Sequence, residues 1–403
     1  MPKNKSIVLL SVGHACVDVY QGAVAALVPF FVAERDYTYA AASGIVLAAS
    51  LLSSVVQPFF GALTDRHALP WLLPVSTVVG GLGVALSGIG GSYPLTLVFV
   101  ALSGIGIAAY HPESARAARV ASQGSHSSMG WFSLGGNVGF AAAPVLVSAV
   151  IATGGLRFSP LLILPALVGS TLTLPVLRAL EGTPSAVGGK STAEGTNDWP
   201  SFLRLSLAVV CRSVVFVGMS TFVAFHVREQ TGGGTAAGTA ALFVLYLGGA
   251  VGTFAGSRLA HRWDRVTVVS TSYLITVAAV TGVVFIPGPV VYLFVALTSI
   301  GLYVPFSLQV TLAQDYLPTR VGTASGITLG LMVSVGGLTS PVIGSFADAT
   351  TLRTALTPLI ALPALSWLLF RTLPEPAVPK LLSRHGDAAA PETESSTPEH
   401  SSS

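Results

Sequence analysis

The sequence predicts an all-α polytopic membrane protein of twelve transmembrane helices, arranged as two pseudo-symmetric halves of six. Of its 403 residues, 52% are hydrophobic and only 9% are charged, and the mean hydropathy is +0.73. This composition is typical of a membrane protein rather than a soluble domain. Apolar stretches of about twenty residues, the length that spans a bilayer as a helix, recur along the chain, and one polar segment interrupts them near the middle.

The apolar stretches divide evenly about that polar segment. In the first half, the predicted spans are 6–33, 39–63, 70–90, 94–117, 127–152 and 157–178. In the second half, they are 203–227, 236–259, 266–286, 289–313, 322–347 and 352–372. Only Pro287, Gly288 and Pro289 mark the break between the ninth and tenth spans, which makes this boundary the easiest to miss.

The distribution of basic residues predicts the orientation of the chain. With an even number of spans and the N-terminus in the cytoplasm, fifteen of the twenty Lys and Arg residues fall on the cytoplasmic side, as the positive-inside rule requires. We therefore expect both termini in the cytoplasm, and the short loops favour a bacterial inner membrane. A cleaved signal peptide would place His14 and Asp18 in its apolar core, so we expect the first segment to be retained.

The polar segments predict the domain boundaries. Residues 181–200 are rich in Gly, Ser and Thr and form the expected cytoplasmic linker between an N-terminal half, 1–180, and a C-terminal half, 201–373. The tail, 374–403, is too polar to form a packed core, so we expect it to be disordered.

The two halves share internal matches at nearly equal offsets. An offset of 197 residues places Gly139 and Pro144 on Gly336 and Pro341. An offset of 196 places Asp65 and Arg66, in the loop after the second span, on His261 and Arg262. Parallel halves of this kind hold their substrate at the interface between them.

Ionisable residues in the first span predict a functional site near the centre of the bilayer. His14 and Asp18 are four residues apart and share a helix face, which Gln21 continues. A charge at this depth is costly and usually serves function. Loss of water favours the neutral form of a carboxylate, and a neighbouring His can pass a proton on. A structural His–Asp pair that only fixes the first span is the alternative.

The fourth span carries a second polar group near its predicted cytoplasmic mouth. His111 and Glu113 flank Pro112, which removes a helical hydrogen bond and can turn its polar neighbours toward a cavity. Arg116 and Arg119 follow at intervals of three. They can pair with Glu113, attract anions, or extend to lipid phosphates.

Spans five and seven contribute the remaining candidates. Gly135 and Gly139 are spaced for close helix packing, and Asn137 lies between them, facing either a partner helix or the cavity. Arg212, about ten residues into span seven, offers a planar fork that matches phosphonate or carboxylate oxygens. Its structural alternative is an ion pair with Asp18 or Glu113.

Several of these motifs resemble those of major facilitator transporters. Gly61-Ala-Leu-Thr-Asp65-Arg66 resembles the family's loop signature, and the segment 257–265, which contains Arg262, resembles a weakened second copy. The departure after Arg66, where His67-Ala-Leu-Pro70 replaces the usual basic cluster, leaves the gating contacts of this loop open. Gly139 and Pro144 resemble the antiporter motif of span five, which implies a role in alternating access.

Within that superfamily the chain is similar to the fosmidomycin resistance proteins, which are proton-driven exporters of a phosphonate antibiotic. Three motifs carry the resemblance: His14-x-x-x-Asp18-x-Tyr20-Gln21-Gly22, His111-Pro-Glu113-x-x-Arg116-x-x-Arg119 and Gly135-Gly-Asn137-x-Gly139-x-x-x-x-Pro144. The resemblance implies proton-coupled efflux and antibiotic resistance.

We assign roles to the polar residues on this basis. The expected proton-coupling residues are Asp18, Glu113, His14 and His111. The expected substrate contacts are Arg212, Gln21, Tyr20, Asn137 and Arg116.

The remaining function classes find less support. The basic residues lie in separate loops rather than one patch, so we expect no nucleic-acid partner. We predict no cofactor and no metal site, and Cys16 and Cys211 show no disulfide or metal pattern. Neither Gly-x-Ser-x-Gly nor His-Glu-x-x-His occurs, which argues against an enzyme. We expect a monomer that transports a small molecule and protons; metabolite uptake and broad drug/proton antiport are the alternative transport functions.

Overall fold

All regular elements that the structure describes are helices. The structure is a computed structural model that describes residues 3–67, 69–122, 126–180 and 196–376. The helices of the first half are α1 Lys3–Arg35, α2 Tyr39–Arg66, α3 Leu72–Ser87, α4 Tyr93–Ser122, α5 His126–Ala152 and α6 Leu164–Leu180. Those of the second half are α7 Trp199–Thr231, α8 Gly234–Leu259, α9 Arg265–Phe285, α10 Val291–Tyr316, α11 Val321–Ala349, α12 Leu352–Leu356 and α13 Ala361–Phe370.

The lengths of these helices confirm the predicted fold class. Within the described ranges, eleven helical segments are long and apolar enough to cross a membrane, and α12 and α13 belong to one of them, Leu352–Phe370. The shorter apolar helix α3 has 16 residues and is about 24 Å long at 1.5 Å per residue. With α3 as the third crossing, the order of spans is the one expected from the sequence.

Helix α7 begins earlier than the hydropathy pattern predicted. The Asp198 side chain accepts a hydrogen bond from the Ser201 N–H, and Pro200 lies in the first turn. Both are favourable at a helix N-terminus. Trp199 and Pro200 therefore belong to the helix and not to the predicted linker, of which residues 181–195 lie outside the described part of the chain.

The start of the predicted disordered tail is in fact held in place. Glu375 accepts hydrogen bonds from Arg265 Nε at 2.7 Å and from the Val266 N–H at 2.9 Å, and Tyr316 donates to the Pro374 carbonyl oxygen at 2.7 Å. The prediction of disorder is wrong for these first residues because composition does not report specific ion pairs. Residues 377–403 lie outside the described part.

Glycines allow close helix contacts in both halves. In α5, a methyl group on Gly135 or Gly139 would collide with the backbone carbonyl oxygens of Ser11 and Ala15 in α1. In α11, a methyl group on Gly336 would likewise collide with the carbonyl oxygen of Ser213 in α7. Gly139 and Gly336 are the pair related by the offset of 197, so the repeat seen in the sequence places the same kind of contact in both halves.

The two halves meet through α2 against α11 and α5 against α8. We call the end of the bundle where α1, α7 and α11 finish the Asp348 end, and the opposite end, where α1 and α7 begin, the linker end. A cluster of buried apolar residues crosses both halves at the Asp348 end and includes Phe31 and Phe222. A second buried cluster belongs to the C-terminal half alone, at the linker end, and includes Phe202 and Leu312. The apolar core therefore joins the halves mainly at the Asp348 end.

The glycine contacts predict an asymmetric response to substitution in α5. Gly139→Val should destabilise the protein by about 1–3 kcal/mol or more, because the clash is with backbone and cannot be relieved by side-chain rotation. Gly130→Val in the same helix should be tolerated, since nothing lies within 4 Å of a methyl group at that position. Thermal unfolding of the two variants in detergent, followed by intrinsic fluorescence, measures the difference. Equal melting temperatures would contradict the glycine-mediated contact.

Candidate functional site

His14, Asp18 and His111 form one polar cluster between α1 and α4. His14 Nε2 lies 3.3 Å from one carboxylate oxygen of Asp18, and His111 Nε2 lies 3.6 Å from the other. The three side chains are partly buried, with exposures of 12%, 14% and 23%. The sequence placed His111 in a separate group near the helix mouth, whereas the structure brings it to Asp18.

The hydrogen bond of His14 to α5 determines how its ring can act. Its Nδ1 lies 3.0 Å from the Phe132 carbonyl oxygen, and its ring stacks on that of Phe132 at 4.3 Å. A carbonyl oxygen only accepts, so Nδ1 carries a hydrogen. A neutral His14 would then direct the lone pair of Nε2 at the Asp18 carboxylate, and two acceptors repel. The pair therefore requires a proton or another cation between them.

Two further observations define the surroundings of this cluster. A methyl group on Gly136 would lie 2.5 Å from Asp18 Oδ2 and 2.8 Å from His14 Nε2, so the backbone of α5 forms one wall of the site. Asp18 Oδ1 and the Tyr110 hydroxyl are buried, and neither has a hydrogen-bond partner in the part of the chain that the structure describes. Sequence analysis missed Phe132 and Tyr110. Gly136 lay within a quoted motif but gave no signal of this contact.

Glu113 does not join the cluster. Its side chain is fully buried and receives a fork of hydrogen bonds from Arg116, with Nε at 3.0–3.1 Å and Nη2 at 2.5 Å. Helix α4 runs five residues beyond the predicted end at 117, to Ser122, so Glu113 lies inside the helix and not at its mouth. Of the alternatives considered for Arg116, the geometry favours the ion pair.

Arg212 is a buried cation without an acidic partner among the described residues. It is 3% exposed, and its Nε donates a hydrogen bond to the Leu302 carbonyl oxygen at 2.5 Å. The guanidinium lies 5.2–6.0 Å from the ring centroids of Phe216, Tyr303 and Phe306. No Asp or Glu of the described ranges forms an ion pair with it, so the suggested pairs with Asp18 and Glu113 are not formed.

A cavity of about 100 Å³ lies between the two halves and has room for several water molecules. Gln21 of α1, Phe140 of α5, Phe216 and Ser220 of α7, and Tyr246 of α8 are among its lining residues.

Asp18 and Arg212 lie close to this cavity. Asp18 precedes Gln21 by three residues and Arg212 precedes Phe216 by four, so each lies one helical turn from the cavity, toward the linker end. Tyr303 is within electrostatic range of both Arg212 and Asp18.

The other residues expected to contact the substrate differ in their exposure. Gln21 is exposed and lines the cavity, and Asn137 is partly exposed. Tyr20 is fully buried; its hydroxyl donates to the Leu162 carbonyl oxygen at 2.9 Å and accepts from the Ala166 N–H at 2.6 Å. Tyr20 therefore fixes α1 to the sixth span, and the structure contradicts its assignment as a substrate contact.

The carboxylate of Asp348 joins α11 to α2 at the Asp348 end. The two carboxylate oxygens accept hydrogen bonds from the backbone N–H groups of Tyr39 and Ala40, both at 2.9 Å. These groups form the N-terminus of α2, where a negative charge is favourable. Tyr39 also packs on Phe225 at 5.0 Å and donates to Glu229 at 3.4 Å. We call Tyr39, Ala40 and Asp348 the latch.

The halves separate toward the linker end. Along α11, methyl groups on Gly344 and Gly337 would press against α2, near Tyr39 and Ser50, whereas Gly330 and Gly326 have nothing within 4 Å. Gly130, near the start of α5, is equally open. The site therefore lies in a bundle that is closed at the Asp348 end and spread at the linker end.

The loop motifs are only partly described. Gly61 has open space around it, and helix α2 ends at Arg66, but the side chains of Asp65 and Arg66 lie outside the described set. In the second copy, Arg262 is exposed, Asp264 caps α9 through the Thr267 N–H, and Arg265 binds Asp315 at 2.6 Å. The contacts of this second copy are thus made by Asp264 and Arg265 and not by Arg262.

Pro144 of α5 lines a small crevice between α1, α5, α7 and α8.

Two helical halves with a polar site and a cavity between them are the architecture of a membrane transporter. The chain belongs to the Major Facilitator Superfamily, which it matches over residues 10–341. It is therefore an integral membrane transporter for a small molecule and not an enzyme, as the sequence predicted.

Two proteins of known sequence are similar to this chain. The chain is 29% identical over 369 residues to the fosmidomycin resistance protein of Escherichia coli (strain K12), and the alignment covers 89% of this chain and 90% of that protein. It is 27% identical over 380 residues to an uncharacterized MFS-type transporter, YfnC, of Bacillus subtilis (strain 168), and that alignment covers 90% of this chain and 91% of the transporter.

A bacterial homolog of the human lysosomal transporter Spinster, crystallised in an inward-facing and unoccupied conformation, has the same fold. The TM-score is 0.75 at 15% identity, covering 94% of this chain and 99% of that chain.

The latch predicts how the Asp348 end opens. Asp348→Asn should weaken the closed state, because a neutral amide offers one acceptor where the carboxylate offers two. A cysteine at the cavity-lining position 220, in a Cys16→Ser/Cys211→Ser background, should then react about tenfold faster with an impermeant maleimide at the Asp348 face, which corresponds to ~1.4 kcal/mol.

Asp36→Asn is the matched control for this experiment, since Asp36 is an exposed acid at the same end. An unchanged rate in Asp348→Asn, or an equal rise in both variants, would argue against the latch.

Proposed function

We propose that this chain exports a small anionic or amphipathic compound in exchange for protons, with a fosmidomycin-like phosphonate as the first candidate substrate. The observation that carries the proposal is the pairing of two complementary sites beside one cavity. The N-terminal half holds the His14–Asp18–His111 cluster, which a cation would stabilise, and the C-terminal half holds Arg212, which pairs with no Asp or Glu of the described ranges. Likeness to the fosmidomycin resistance protein supports the choice of compound.

Arg212 is suited to bind the substrate anion. A guanidinium carries five N–H donors and stays charged, and Leu302 engages only the one on Nε. The aromatic rings of Phe216, Tyr303 and Phe306 stabilise the cation but offer no hydrogen-bond acceptor beyond one phenol. The remaining donors match two oxygens of a phosphonate or carboxylate. Gln21 and Asn137 are the proposed polar contacts for the rest of the molecule.

The cluster around Asp18 is suited to carry the proton. A proton shared between Asp18 and His14 would stabilise their contact at 3.3 Å, and His111 Nε2 faces the other carboxylate oxygen at 3.6 Å. Release of the proton leaves a net negative charge near the cavity, and its return removes that charge. Glu113, neutralised by Arg116, has a structural or gating role in this scheme, and Arg116 no longer serves as a direct substrate contact.

Alternating access follows from the two ends of the bundle. We assign the linker end to the cytoplasm of a bacterial inner membrane, in line with the positive-inside pattern. The conformation closed at the latch then takes up substrate from the cytoplasm. Opening of the latch, with closure along α2 and α11 at the linker end, exposes the same site to the outside, and proton binding at Asp18 resets it. The protein acts as a monomer in this scheme.

The proton site predicts the effect of Asp18→Asn. In everted vesicles energised to an acidic interior, fosmidomycin should collapse the proton gradient when the wild-type protein is present. Asp18→Asn should abolish this response, because an amide cannot exchange the proton, while the variant keeps its elution profile and melting temperature. Asp36→Asn serves as the control and should respond like the wild type. Full export by Asp18→Asn would remove Asp18 from the mechanism.

The anion site predicts the effect of Arg212→Lys. An ammonium group keeps the charge but loses the planar fork, so affinity for fosmidomycin should fall about tenfold, equivalent to ~1.4 kcal/mol. Arg204→Lys on the exposed face of the same helix should leave affinity unchanged. Equilibrium binding of the radiolabelled compound to purified protein measures both. If affinity survives in Arg212→Lys, Arg212 has a structural role.

The vesicle assay also separates the alternatives. A gradient collapse with several unrelated drugs would indicate broad drug/proton antiport. Lower drug tolerance of cells that express the protein would indicate uptake.

A further inference from the structure

We propose that His14, Asp18 and His111 bind a divalent transition-metal ion of the Zn²⁺ class, reached from the linker end. This proposal goes beyond the transport function, since it concerns binding at equilibrium and needs neither a substrate nor a gradient. Two imidazole nitrogens and one carboxylate oxygen are a common protein ligand set for Zn²⁺ and Co²⁺.

The ligand atoms lie close enough for one ion to draw them together. One nitrogen from each histidine and one carboxylate oxygen lie within 4.8 Å of one another. His14 Nε2 lies 3.3 Å from Asp18 Oδ2, and His111 Nε2 lies 3.6 Å from Asp18 Oδ1. Around a tetrahedral zinc ion, bonds of 2.0–2.2 Å place the ligand atoms about 3.4 Å apart. Three protein ligands leave a fourth position for water, as in zinc sites that are not purely structural.

The surroundings of the cluster are those expected of metal ligands. His14 directs Nδ1 at the Phe132 carbonyl oxygen at 3.0 Å, and this hydrogen bond leaves the lone pair on Nε2, the nitrogen that faces Asp18. Metal-binding histidines are usually oriented by such a bond. Independently, Asp18 Oδ1 is buried and has no hydrogen-bond partner among the residues described, and His111 Nε2 lies 3.6 Å from this oxygen. A metal ion would satisfy all three groups together.

The three side chains keep part of their surface exposed, 12–23%, and no basic residue competes for Asp18 within the described part of the chain. Neither Lys nor Arg from the described part of the chain forms an ion pair with Asp18. The same space would hold either a metal ion or the proton of the transport cycle, so a bound metal should stop transport.

Co²⁺ is the probe for the test, because its visible absorption reports the ligands. Tag-free purified protein in detergent should bind one Co²⁺ per chain with a tetrahedral or five-coordinate spectrum, and Zn²⁺ should displace it. His111→Gln should weaken binding at least tenfold. The His111 ring is partly exposed and forms no side-chain hydrogen bond within the described part of the chain, so the variant should melt close to the wild type, and Asp18→Asn provides a second test. His261→Gln, in the exposed loop between α8 and α9, should bind like the wild type.

Two results would overturn the proposal: absence of stoichiometric Co²⁺ binding by folded wild-type protein, or binding that survives in both His111→Gln and Asp18→Asn. Either outcome would leave proton-coupled export intact, because the vesicle assay tests that function separately. Conversely, Co²⁺ binding without a fosmidomycin response would support the metal site and refute the coupling scheme.

Discussion

The structure depends on one constraint, which is that a carboxylate within the membrane-spanning bundle must not be left without a positive partner. Within the described ranges, Asp18 meets it with two histidines from different helices and forms no ion pair with Lys or Arg. A Lys or Arg partner would have neutralised the Asp18 carboxylate permanently. The imidazole rings neutralise it only when a proton or another cation is bound, so the charge of the site can change during function. The helices around it are arranged so that this site stays partly accessible.

The two halves have diverged in charge while keeping their packing. Gly139 and Gly336 make equivalent contacts with α1 and α7, and the polar residue at the middle of each contacted helix faces the same region. In one half that residue is Asp18, and in the other it is Arg212, which lies among aromatic rings. The two halves thus place an acidic residue on one side of the cavity and a basic residue on the other, each one helical turn from it.

The sequence predicted the helical spans better than the side-chain contacts between helices. Hydropathy and charge alone located the spans, since bilayer thickness determines their length, and the caps at Asp198 and Glu375 account for the differences at the ends. His14 and Asp18 were predicted as neighbours because four residues make one helical turn. Three contacts depend on how the side chains and helices are oriented: His111 with Asp18, Glu113 with Arg116, and the Tyr20 hydroxyl with α6. Periodicity within a single helix does not contain that information.

The hydrogen bonds of the latch depend on the side chain at position 348 but on the main chain at positions 39 and 40. The donors are main-chain N–H groups of Tyr39 and Ala40, which every residue except proline provides. Random change at positions 39 and 40 therefore leaves the hydrogen bonds available, and only position 348 can tune them by substitution. A single substitution at position 348 can therefore change the rate of opening, while the His14–Asp18–His111 cluster and Arg212, which lie on other helices, stay as they are. Related transporters could in this way acquire different turnover rates without changing what they carry.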